Sequence, residues 1–279
     1  MKFNRKDFLK VAGMGLAATL ASFPEIEAQP NQVKPGGKKL QYGLASYSLH
    51  KFNLDQTLAA VKKVGLTHVA LKDVHMPMNS SATELQAIAA KVKAAGLQLY
   101  GAGVIYMKNE AEVNRAFDYA KNAGIKTIIG VPSHPLLSLV HKKVQEFDIR
   151  LAIHNHGPGD DVYPSPDSVY SRIKDLDKRI GLCIDIGHTQ RIGQDPAKMA
   201  LKYADRLYDI HIKDVTGSTK EDKPTEIGRG VIDIPEFLKT LVKINYQGVV
   251  AFEYEKDAND PLPGLAESIG YVKGVMRMI

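Results

Sequence analysis

Cysteine is almost missing from this chain. Among its 279 residues there is one, Cys183, inside the apolar run GLCIDIG. No disulfide can form within the chain, and a zinc site built on cysteines is excluded. Cys183 reads as a small buried hydrophobe. Blocks of one charge are missing too. The net charge is +6, but Lys and Arg interleave with Asp and Glu, and no run of five basic residues occurs. That pattern argues against a nucleic-acid partner. No Gly-x-Gly-x-x-Gly follows the first apolar run and no Walker loop occurs, which sets dinucleotide and P-loop folds aside. Tryptophan is also absent, and its absence excludes nothing.

The N-terminus is basic and then small and apolar. Lys2, Arg5, Lys6 and Lys10 stand against Asp7, and VAGMGLAATLAS follows over 11–22. This apolar run is too short to span a bilayer and fits a signal segment over residues 1–28. NRKDFLK resembles a twin-arginine export signal with Lys6 in place of the second arginine. Cleavage after Ala21 or Ala28 suits the sequence, and no Cys follows to carry a lipid. The expectation is an exported, periplasmic protein without a stable membrane anchor. The competing reading is a cytosolic amphipathic helix.

Beyond residue 39 the composition is that of a globular domain, with 44% hydrophobic and 24% charged residues overall. KKVGLTHVAL, KAAGLQLYGA and KNAGIKTIIG each run from a helix end through Gly65, Gly96 or Gly124 into an apolar stretch. Glycine after the last helical turn takes the left-handed conformation without a Cβ penalty. Gly181 and Gly248 sit in similar contexts, and Ser81-Ala-Thr-Glu84 reads as a capping box. Eight strand candidates follow: 40–47, 68–74, 98–105, 126–131, 149–154, 181–186, 207–213 and 248–254. Helical patterns follow each. Alternating β and α units with near-continuous apolar strands imply a parallel sheet covered on both faces. Eight such units over 39–279 predict a single (β/α)8 TIM barrel. The polar connection TGSTKEDKPTEIGRGVID after the seventh strand is long enough to be a lid or rim loop.

Ligands in such barrels sit at the C-terminal strand ends. Seven of the nine histidines fall there: His50, His75, His134, His154, His156, His188 and His211. Histidines placed for solubility would scatter. An Asp or Glu inside an apolar parallel strand is costly unless paired or metal-bound. Asp185 and Glu253 are such residues, and His211 has a similar context. Taken singly, Asp185 could cap a turn and His211 could be a satisfied core histidine. Taken together they offer nitrogen and oxygen donors for one divalent ion, with Zn, Mn, Fe or Co more natural than Mg or Ca. His154 is a further candidate ligand. His156, His188 and Lys213 are expected at the substrate. Strand alternation lets one of Glu253 and Glu255 face inward, and Glu253 is the expected one. His75, His134, Asn155, Tyr106 and Lys72 are candidates for the mouth, and Asp209 and Asp214 for supporting roles.

At these residues the chain resembles the xylose isomerase-like TIM-barrel superfamily of sugar isomerases and epimerases. The resemblance rests on IDIGH at 184–188, DIHIKD at 209–214, IGRGVIDIPEFLKTL at 227–241 and YQGVVAFEYE at 246–255. It implies a metal at His154, Asp185, His211 and Glu253, and a substrate-binding role for His188. It also implies proton abstraction beside a sugar carbonyl. The chain departs at strand 5, where the family has Glu and this sequence has His154. The two-glutamate mechanism therefore does not transfer whole. Glu253 would act as base with His156 or His188. The expected function is an exported metal-dependent sugar isomerase or epimerase. The alternatives are a keto-sugar lyase, a sugar-binding barrel without catalysis and an AP-endonuclease-like hydrolase. The expected partner is a sugar or keto-sugar, with phosphate disfavoured because no strong phosphate loop is visible. A homo-oligomer is left open.

Overall fold

Residues 40–279 are described by the computed structural model. The signal-segment expectation over residues 1–28 lies outside them. Eight parallel strands close into a barrel: β1 Gln41–Ala45, β2 His68–Leu71, β3 Gln98–Met107, β4 Thr127–Pro132, β5 Arg150–His154, β6 Ile180–Asp185, β7 Leu207–Ile212 and β8 Val249–Phe252. Each lies beside its neighbours in sequence, and β1 closes on β8 with Gln41 opposite Val249. The strands agree with those read from the apolar runs to within a few residues at either end.

The outer layer contains α1 Leu54–Lys63, α2 Ala82–Ala94, α3 Glu110–Asn122, α4 Leu137–Phe147, α5 Pro166–Ile173, α6 Ile186–Arg191, α7 Pro196–Lys202, α8 Ile234–Lys243 and α9 Pro261–Met276. The helices start where local chemistry satisfies their free N–H groups. Asn53 and Gln56 form a capping box on α1, and Ser81 and Glu84 form the expected one on α2. Asp185 opens α6 by accepting from His188 N at 2.8 Å. The main apolar core lies between helices and strands. Inside the barrel the filling is smaller: Ala70, Ile129, Ala152 and Cys183 form one cluster, with Tyr100 packed against it.

Gly65, Gly96 and Gly124 end helices with φ of 71°, 77° and 70°. Gly181 and Gly248 do not take that role. Gly181 lies within β6, where an added Cβ would collide with the Arg206 carbonyl and the Tyr208 ring. Ahead of β8 the left-handed residue is Asn245, with φ 54°. These two glycines serve close packing, a need that a helix-end pattern does not distinguish.

The loop after β7 is held to the rim. Asp214–Val215 pairs antiparallel with Pro224–Thr225. The buried Asp214 carboxylate accepts from Gly228 N, Gly230 N and Ile232 N at 2.9, 3.0 and 3.2 Å. Glu226 accepts from Lys256 Nζ at 2.8 Å and from the Tyr254 hydroxyl at 3.0 Å. These bonds fasten the loop to the segment following β8. No helix among the described residues is long and apolar enough to cross a membrane.

At the opposite end of the barrel the buried Arg206 donates to the carbonyls of Ile180, Leu176, Asp177 and Lys174 at 2.7, 3.1, 3.2 and 3.2 Å. Arg206→Met leaves those acceptors short of a donor. It should lower the unfolding free energy by about 3 kcal/mol in urea titration, since bonds from a charged donor contribute about 1.5–3 kcal/mol. Metal uptake at the far end should be intact. The Lys256 ammonium holds Glu226 at about 2, below the ordinary 4.5. Because the folded value is the lower one, the unfolded chain takes up this proton first as pH falls. The stabilisation is complete above about 4.5 and is lost as pH drops towards about 2. Glu226→Gln should flatten this part of the acid limb in melting temperatures measured from about pH 6 to about pH 3. An unchanged limb would show that the ion pair adds nothing to stability.

Candidate metal centre and active site

The C-terminal ends of β5 to β8 converge. His154 is the last residue of β5, Asp185 the last of β6, His211 the penultimate residue of β7, and Glu253 follows β8 directly. Register places Asp185 beside His211, and His154 beside Cys183. One donor atom from each of His154, Asp185, His211 and Glu253 lies within 4.8 Å of the other three. His154 Nε2 is 3.1 Å from His211 Nδ1 and 3.4 Å from Asp185 Oδ2. His211 Nδ1 is 3.0 Å from Glu253 Oε2. All four side chains are buried.

Metals bind neutral imidazole and ionised carboxylate. Burial pushes His154 down to about 3, which keeps it neutral. Burial alone would raise Asp185, but the Lys213 ammonium and neighbouring histidines hold it well below the usual carboxylate range. Asp185 Oδ2 is buried, faces this cluster and receives no well-directed hydrogen bond from the described residues. An ion would satisfy that atom. Two imidazoles and two carboxylates suit Zn, Mn, Fe or Co. Against the effect of burial, the Glu253 and Asp209 carboxylates raise His211 to about 9, so an ion takes the place of its proton, and with that exchange the four side chains fit a divalent metal. His154, Cys183 and His211 also come together. Burial beside Asp209 pushes the Cys183 thiol well up, so it stays protonated and is a poor ligand.

Neighbouring groups set this geometry. The Asn155 amide oxygen accepts from Asp185 N at 3.1 Å, and its nitrogen donates to Thr189 Oγ1 at 3.3 Å. Asp209 Oδ2 lies 3.6 Å from His211 Nε2. Burial raises Asp209 to about 6. Lys213 Nζ is 2.9 Å from Asp185 Oδ2, 2.7 Å from Glu253 Oε2 and 2.6 Å from Glu255 Oε2.

Above the cluster lies a cavity of about 320 Å³, with Tyr47, Tyr106, His156, His188, Glu253 and Glu255 among its walls. The Tyr106 hydroxyl hydrogen-bonds His156 Nε2 at 2.9 Å, and their rings stack 5.6 Å apart. His156 Nδ1 is 3.2 Å from Asp160 Oδ2. Burial pushes His188 down to about 4 and lowers His156, so both imidazoles can enter reactions as neutral groups.

The structure thus brings His154, His156, His188, His211, Asp185, Glu253, Lys213 and Tyr106 to one mouth, with Lys72 on its wall. His75 is corrected. It is buried away from this cavity, with Nδ1 2.9 Å from Ser46 Oγ and Nε2 2.9 Å from Thr57 Oγ1. Those partners turn it into the protein. Asn155 is corrected from substrate contact to a brace under Asp185, because both ends of its buried amide are taken. His134 bonds the Val162 carbonyl at 2.9 Å. The expectation that only one of Glu253 and Glu255 faces inward is corrected: both line the cavity, as residues two apart on one strand face would. Tyr47, in a 3-10 turn after β1, had no sequence signal.

Purified protein given zinc or manganese should hold one ion per chain by elemental analysis, and Asp185→Ala should hold none. At a metal concentration about 100-fold above the dissociation constant, the wild type should gain about 2.7 kcal/mol of stability. That gain should vanish in the variant. An equal gain in both would place the ion elsewhere.

A family model described as a xylose isomerase-like TIM barrel matches residues 58–275. The rhizopine catabolism protein MocC of Rhizobium meliloti is 28% identical over 145 residues, covering 47% of this chain and 44% of that protein. An inosose dehydratase of Clostridium botulinum is 27% identical over 144 residues, 46% of each. The chain thus spans about half the length of these curated relatives. Among solved structures, the apo 3-keto-D-glucoside 4-epimerase YcjR from E. coli superposes with TM-score 0.70 at 15% identity, covering 85% of this chain and 100% of that one. The IOLI protein with a bound zinc atom superposes with TM-score 0.68 at 16% identity, covering 85% and 96%. Such identities establish the fold alone. With its closed barrel and a family match over most of its length, this chain belongs to the xylose isomerase-like TIM-barrel family.

Proposed function

We propose that this chain is an exported, metal-dependent enzyme that removes the proton beside the carbonyl of a keto-sugar and completes the reaction by elimination. One observation carries the reading. Glu253 shares the cavity and the ligand cluster with His154, while the groups on the β5 and α6 side, His156 and His188, are imidazoles. A base stands on one side and neutral N–H donors on the other. Export rests on the basic and then small apolar N-terminus.

Glu253 Oε2 is taken by His211 Nδ1 and Lys213 Nζ. Oε1 has no partner among the described residues and is the atom that accepts the carbon-bound proton. The C–H electron pair moves towards the carbonyl oxygen. A divalent ion held by His154, Asp185, His211 and Glu253 would supply positive charge where that oxygen gains electron density. His188, next to the cluster, or His156 passes a proton to the departing hydroxyl on the adjacent carbon. The electron pair then returns to form the double bond, and the leaving group departs as water. Similarity to an inosose dehydratase supports this outcome.

Epimerisation is the second reading, favoured by the Tyr106–His156 pair. That pair puts a second proton-transfer group across from Glu253. The two readings separate in heavy water. Elimination yields an unsaturated or dicarbonyl product with new ultraviolet absorption, and Tyr106→Phe should leave it in place. Epimerisation yields a labelled epimer, and Tyr106→Phe should suppress it. Either way Glu253→Gln, which keeps an oxygen for the ion, should lower turnover by about 10²–10⁴, the usual loss for a missing general base. If metal-loaded protein causes neither exchange nor product formation with any keto-sugar, the reading falls.

A further inference from the structure

A second cavity, of about 240 Å³, lies beside the first and shares Lys72, Val104 and Tyr106 with it. It sits past the end of β2, beside the last residues of β3 and against α3. Met78, Asp73, Glu112 and Arg115 complete the part used here. Neither the metal cluster nor the proton-transfer groups need this space. Ligand pockets usually span about 300–1,000 Å³. The first cavity reaches the lower end of that range alone, and the second continues it.

The chemistry of its walls selects an occupant. Two cations, Lys72 and Arg115, face two anions, Asp73 and Glu112, so a phosphate or other multiply charged group finds no net attraction. Tyr106, 49% exposed, offers aromatic surface together with the aliphatic Met78 and Val104. Apolar surface beside several charged hydrogen-bonding groups matches a sugar ring, with its C–H face and its rim of hydroxyls. Most of the polar groups are already engaged. Lys72 Nζ donates to the Val104 carbonyl at 2.7 Å, and Glu112 accepts from Lys108 N at 2.6 Å. Arg115 makes no side-chain hydrogen bond or ion pair among the described residues. Its guanidinium can serve two hydroxyls at once.

We infer that this second cavity is a subsite for a second sugar ring, so that the substrate is a keto-sugar joined by a glycosidic bond to another hexose. This rests on the keto-sugar reading above. The reacting ring lies over the metal cluster, and the linked ring lies beyond Tyr106, against Met78 and within reach of Arg115.

The test uses metal-loaded full chain and calorimetric binding of free D-fructose and 3-keto-glucose against lactulose and 3-keto-sucrose, which carry the second ring. The two-ring ligands should bind on the order of tenfold more tightly, the return from a few added hydrogen bonds, some of them to charged groups. Arg115→Ala, at an exposed helix position, should remove most of that ratio. Met78→Trp, which fills the cavity, should remove it as well. Melting curves confirm that each variant is folded. Single-ring ligands that bind or exchange as well as two-ring ligands overturn the subsite and leave the keto-sugar reading standing. So does a ratio that survives both substitutions. Failure of all four sugars to bind overturns both.

Discussion

Lys213 holds three carboxylates at once, and the mouth of the barrel depends on that arrangement. Its ammonium lies within 2.6–2.9 Å of Asp185, Glu253 and Glu255. Gathering the buried Asp185 and Glu253 with Glu255 at the rim is costly in repulsion and in lost hydration. Burial would drive the lysine towards neutrality, yet the three carboxylates hold it well above its ordinary value. A ligating His211 gives up its proton to the ion, and Lys213 alone then leaves Asp185, Glu253 and Glu255 with a surplus of negative charge. That surplus favours a doubly charged ion among Asp185, Glu253 and the two histidines.

The side chains reach this point through the way strands end. Asp185 illustrates the economy of a strand-to-helix junction. One carboxylate oxygen caps α6 through His188 N, and the other faces the ligand cluster. The capping reading holds, and it leaves the second oxygen in position for the ligand reading with which it competes in the sequence. Asn155 closes the arrangement by accepting from the Asp185 backbone and reaching Thr189 on the same helix. Moving Asp185 therefore means disturbing β6, α6 and the loop after β5 together. Such over-determination holds the ligand atoms close together.

Much of this was legible in the sequence because burial imposes simple patterns. Near-continuous apolar runs between helical segments identify a parallel barrel. An acid within such a run signals a partner or a ligand, as at Asp185 and Glu253. The signal weakens where the regular geometry stops. Glu255 was separable from Glu253 only by miscounting the pleat, since residues two apart share a strand face and both reach the cavity. His75 sits at a strand end like the others, and Ser46 and Thr57, distant in sequence, turn it inward. Tyr47 lies in a short turn with no periodicity. Gly181 resembles a helix terminator and answers instead to the Arg206 carbonyl and the Tyr208 ring, neither of which a local pattern reveals.

His154 decides how the chemistry differs from a site with two carboxylates facing each other. A buried carboxylate there would add a further negative charge beside Asp185 and Glu253, and a second group able to accept a proton from carbon. A neutral imidazole does neither. With less anionic charge donated to it, a bound ion keeps more of its own for the substrate oxygen. In the proposed reaction, abstraction from one face would stay with Glu253, while return of a proton to the other face would fall to groups held outside the ligand cluster. Among them, His156 is bonded to Tyr106 through Nε2, and His188 lies near the cluster with no hydrogen bond to Nδ1 among the described residues. A neutral imidazole whose N–H points at a hydroxyl is better placed to help that hydroxyl leave than to strip a second carbon. On the proposed reading, a histidine at this place keeps a nitrogen donor for an ion while favouring elimination over proton exchange at carbon.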